Sequence, residues 1–152
     1  MPRAERKARS ASILQARAVR LLNGGLLGGH LALLICAVSF GLLRGREGLL
    51  WSVLSGLVTI VFFTIGQGIQ VMVADADPKV VFAASMTSFV VRAAGLAGLL
   101  AWAQAWQDRL SGLDPVALAV TAIAVVIGWL GVEIFVFTRL RIPSFDPPEE
   151  PR

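Results

Sequence analysis

Four runs of predominantly apolar residues, at about 24–43, 49–74, 80–106 and 115–137, take up most of a 152-residue chain. Each approaches or exceeds the ~20 residues that cross a bilayer as a helix. They are too long for strands, and an open sheet edge cannot be satisfied in lipid. The expected fold is therefore all-α: an integral membrane protein of four transmembrane helices, paired as two helical hairpins. Hydrophobic residues make up 56 % of the chain and the mean hydropathy is +0.73. Soluble domains sit at about 45–50 % apolar.

Charge supplies the expected orientation. The isoelectric point near 10.6 would suit a nucleic-acid partner, but the basic residues sit in the wrong places for one. Arg3, Arg6, Lys7, Arg9, Arg17 and Arg20 all precede the first run, which is the positive-inside signal. With the N-terminus inside, ten of the 14 Lys and Arg fall on the inner side, three (Arg44, Arg46, Arg109) outside and Arg92 within the membrane. Both termini are then cytoplasmic. The division is a basic N-terminal segment over 1–22, a transmembrane domain over 23–138 and a disordered, Pro- and charge-rich tail over 139–152. Two readings of segment 1–22 stand: an amphipathic helix lying on anionic lipid, or a tail that only orients the first span. The first span is too long for a signal-peptide core and three more follow it, so it is expected to be retained.

Arg92 lies near the centre of the third run. A charge at that depth costs about 2.5–3.5 kcal/mol on insertion scales, so such residues face protein or trapped water. Ser88 lies one turn before it on the same helix face, and Ser85 a further turn back. Gln67 and Gln70, in the inner half of the second span, are candidates to meet it. Gln67 lies ~10 Å above the inner end and Arg92 ~18 Å, by helix rise, a gap that an extended arginine closes in large part. Glu133 lies only ~6 Å deep, and two readings stand for it. It is a partner for Arg92 or an ion-carrying carboxylate, or else it reaches the inner interface beside Arg139 or the N-terminal arginines. The ~12 Å difference in depth favours the interface.

Glycines mark candidate packing seams: Gly24, Gly25, Gly28 and Gly29 on the first span, Gly95 and Gly98 on the third, Gly128 and Gly131 on the fourth. Such residues let helix backbones approach closely, within one chain or between copies, so a homo-oligomer is possible. Two aspartate–proline pairs, Asp77-Pro78 and Asp114-Pro115, are expected to start the third and fourth helices. Trp51, Trp102 and Trp106 form an outer interfacial belt.

Catalytic chemistry has no foothold. There is no Ser/His/Asp set, no phosphate-cradling glycine loop and no second buried carboxylate beside Glu133. A lone His30 without further ligands at metal spacing defines no metal site, and no cofactor is expected. The single Cys36 says nothing of redox compartment.

The stretch Ser52-Val53-Leu54-Ser55-Gly56-Leu57-Val58-Thr59-Ile60-Val61-Phe62-Phe63-Thr64-Ile65-Gly66 resembles the second span of the small bacterial proteins called ATP synthase protein I. So does Gly128-Trp129-Leu130-Gly131-Val132-Glu133, with the tail Ile142-Pro143-Ser144-Phe145-Asp146-Pro147 beyond a basic step. The resemblance is closest to the actinobacterial members and covers about residues 24–147. It implies a non-enzymatic protein of the bacterial cytoplasmic membrane that assists assembly of the rotary ATP synthase membrane sector. The partners it implies are membrane lipids and the c subunit or early membrane-sector intermediates. The family has no agreed active-site residues to carry across. A small channel or transporter subunit for divalent cations is the alternative.

Overall fold

The computed structural model describes residues 3–109 and 112–139, with residues 3–14 as backbone alone. It is all-helical and has three helices: α1 (Arg3–Met72), α2 (Pro78–Trp106) and α3 (Pro115–Arg139). The expected count of four is corrected. The first two apolar runs belong to one 70-residue helix, with no loop between them. Residues 44–48 hold neither a proline nor an aspartate or asparagine cap, so helical hydrogen bonding resumes at once on each side of a one-residue break. That residue is Gly45, at φ 69° and ψ −150°, a conformation that a side chain disfavours and glycine adopts freely.

The break turns α1 back on itself. Leu33 and Ile60 share one core cluster, and a Cβ on Gly56 would overlap the Leu33 side chain. In a straight helix residues 33 and 56 would lie ~35 Å apart, by a rise of 1.5 Å per residue. The basic segment from Arg3 is helical and continuous with the limb that follows it. The tail beyond Arg139 falls outside the described residues.

The other two helices begin as their sequences dictate. Asp77 caps α2 through a bond from Lys79 N to its Oδ1 at 2.9 Å, with Pro78 as the first helical residue. Asp114 caps α3 by accepting from Val116 N at 3.1 Å and Ala117 N at 3.0 Å. Gly112, at φ +88°, turns the chain just before that cap.

Packing concentrates between α1 and α3. Leu33, Ile60, Phe63, Val125 and Trp129 form the buried cluster, with Trp129 fully enclosed. The helices meet where glycines remove side chains: a Cβ on Gly25 would overlap the Trp129 indole, and one on Gly28 would overlap the Gly128 carbonyl. In contrast, α2 is peripheral, burying only Ser88 and Ala103 along 29 residues. Large apolar side chains such as Leu34, Leu42, Phe82, Phe89, Ile127 and Phe135 point outward. All three helices are long and apolar enough to cross a membrane, and outward-facing leucine and phenylalanine on every side is the pattern of a membrane protein.

Candidate functional site

Where α2 crosses the second limb of α1, three polar side chains join into one chain. Arg92 on α2 donates from Nη2 to Gln67 Oε1 at 2.8 Å. Gln67 in turn donates from Nε2 to Glu133 Oε1 on α3, at 2.9 Å. A glutamine is suited to this place because its amide offers an acceptor to the cation and a donor to the carboxylate. It thereby links opposite charges that do not touch. Among the described residues the only ion pair lies elsewhere, between Arg44 and Asp114 at 3.4 Å.

Neighbouring residues hold Arg92 in position. Its guanidinium sits 4.9 Å from the Phe63 ring centroid, a cation–π arrangement that gains strength away from water. Phe63 packs on Trp129, with centroids 5.6 Å apart, which ties the polar chain to the main core. One turn before Arg92, Ser88 is fully buried and donates to the Gly66 carbonyl at 2.9 Å. Gly66 is what admits both: a Cβ there would stand 2.7 Å from Ser88 Oγ and would overlap Arg92 Nε. That Nε is buried and makes no hydrogen bond among the described residues.

The structure thus brings together Arg92, Ser88, Gln67 and Glu133. Arg92 and Glu133 join one chain because Gln67 bonds to both, although the two charges do not pair with each other. Gln70 lies outside this chain, and Ser85 turns to its own helix, donating to Val81 O at 2.9 Å. The glycines divide likewise. Gly24, Gly25, Gly28, Gly29 and Gly128 lie in the α1–α3 seam, and Gly95 lies against Phe62, whereas Gly98 and Gly131 have open space beside them.

A second polar seam goes unread in the sequence. Ser55 donates to Leu118 O across to α3 at 2.7 Å, and Thr59 donates to Ser55 O at 2.8 Å. Ser52, Ser55, Thr59 and Thr121 are all fully buried. The three- and four-residue spacing of Ser52, Ser55 and Thr59 places them on one helix face, and that spacing was the signal available. His30 donates from Nδ1 to Leu26 O at 2.7 Å, one turn back on its own helix. No group of three or more His, Cys, Asp or Glu gathers at metal-binding distance among the described residues.

No protein-family model, curated protein or solved structure matches the chain.

Proposed function

We propose that this chain is a non-enzymatic protein of the bacterial cytoplasmic membrane that holds other membrane helices during assembly of a rotary ATP synthase. Its client on this reading is the c subunit or an early membrane-sector intermediate. The observation that supports a helix-holding role is the state of α2. That helix spans a membrane length yet buries only two of its residues, Ser88 and Ala103. Ala93, Ala94, Ala97, Gly98 and Ala101 stand exposed along it, and nothing lies within 4 Å of a Cβ built on Gly98. In lipid, helix association depends on close backbone approach and a few polar contacts rather than on hydrophobicity. A face of small residues on a lightly held helix meets that requirement. The choice of client rests on the resemblance of residues 52–66 and 128–147 alone.

The polar chain weighs against a cation path. Glu133, the carboxylate of that chain, already accepts from Gln67, and the guanidinium at the other end of the chain repels a divalent ion. Deleting the gene in its host should lower the yield of assembled c-rings more than the specific activity of each finished synthase. Normal ring yield, together with divalent-cation flux through the purified protein in vesicles, would reject the assembly role in favour of a transporter.

A further inference from the structure

The end of the molecule that carries the Gly45 break and the Gly112 turn holds a cavity of about 470 Å³, lined by Arg46, Glu47, Leu50, Trp51, Leu54 and Gly112. That volume falls within the ~300–1,000 Å³ of small-ligand sites. The lining is ordered along the helix. Arg46 and Glu47 sit at its top, Leu50 and Trp51 one turn below, and Leu54 a further turn down. From Arg46 to Leu54 is ~12 Å of helix, enough to pass from the headgroup level into hydrocarbon.

Three contacts fix this wall and leave its charges uncommitted. Arg44 is taken by Asp114 at 3.4 Å, the only ion pair among the described residues, so Arg46 and Glu47 keep their charges for the cavity. Trp51 donates from Nε1 to Gly112 O at 2.7 Å and packs against Trp102 with centroids 6.5 Å apart. Both Arg46 and Glu47 are exposed, as are Leu50 and Leu54 at 54 % and 48 %. Tryptophans at this level are the mark of a membrane–water interface.

We propose that this cavity binds one phospholipid with a zwitterionic headgroup bearing a primary ammonium, of the phosphatidylethanolamine type. Arg46 takes the phosphate, to which a guanidinium is matched in charge and in donor geometry. Glu47, the adjacent residue, accepts hydrogen bonds from the ammonium. Leu50 and Leu54 lie along the start of an acyl chain, and Trp51 closes the side. Opposite charges on neighbouring residues above a leucine row match a lipid, whereas a free phosphate would leave both Glu47 and the leucines without a counterpart. This site stands whether or not the chain holds c subunits.

The test is native mass spectrometry of the purified full-length protein with ethanolamine, choline and glycerol phospholipids of matched acyl chains, added in equal amounts. The wild type should retain the ethanolamine lipid over the glycerol lipid by roughly three- to fivefold, the scale of one exposed ion pair. Glu47→Gln should bring that ratio close to one while lipid is still retained. Arg46→Gln should reduce retention of all three, and Asp75→Asn at the opposite end should change nothing. Equal retention of the three lipids by the wild type would overturn the site, as would a preference for the glycerol lipid. A ratio unchanged in Glu47→Gln would overturn the role of the ammonium.

Discussion

Gly28→Val should be the most damaging single substitution in the chain. The Cβ of any residue there would overlap the Gly128 carbonyl and stand 2.8 Å from Val132 Cγ2. Backbone cannot yield as a flexible side chain can, so α1 and α3 must separate. Overpacking of this kind costs about 1–3 kcal/mol, and separation would also loosen the cluster around Trp129. Unfolding in mixed micelles by increasing SDS fraction should show the midpoint falling sharply, with low membrane yield in cells. Gly68→Val and Gly131→Val are the matched comparisons, since nothing lies within 4 Å of a Cβ at either position. Their midpoints should stay near wild type.

Gln67→Leu should cost more than Arg92→Leu, although the arginine carries the charge. Removing the amide strips both Arg92 and Glu133 of the partner that each has through Gln67. An unsatisfied buried polar group costs about 1–3 kcal/mol, and more when charged. Arg92→Leu leaves the bond from Gln67 to Glu133 in place, and single interhelical polar contacts in membranes are worth only about 0.6–1.7 kcal/mol. Arg92→Lys should rescue only partly, because an ammonium lacks the planar fork. The same SDS titration measures each, and the Gln67→Leu/Arg92→Leu double variant should fall short of the sum of the singles. Additive losses would mean that the two side chains act independently.

Much of this arrangement is readable from residue type and spacing. A central arginine in an apolar helix has to find polar company, and the glutamine in the inner half of the preceding run is within its reach. The aspartate–proline pairs announce the starts of α2 and α3 because cap and first-turn chemistry are local. The helix count is not local in this way. Gly45 lies among Arg44, Arg46, Glu47 and Gly48, a polar stretch that reads as a loop, and only tertiary packing of Leu33 against Gly56 shows that one residue makes the whole reversal. The glycines also look alike in sequence. Gly28 is pressed against backbone and Gly98 faces open space, a difference set by which helix face each presents. Glu133 joins the chain through Gln67 rather than by meeting Arg92, a link that helix rise does not reveal because it leaves out the reach of the side chains.

The central claim is that the chain holds c subunits with the exposed small face of α2. Photo-crosslinking residues placed singly at Ala94, Ala97 and Gly98 in the native host, during synthase assembly, test it most directly. Ile127 and Leu34 serve as positions that face outward from the other helices. The account predicts covalent adducts with the c subunit from Ala94, Ala97 and Gly98, at several times the yield from Ile127 or Leu34. No c-subunit adduct from any α2 position, or equal yields from all five, would contradict it.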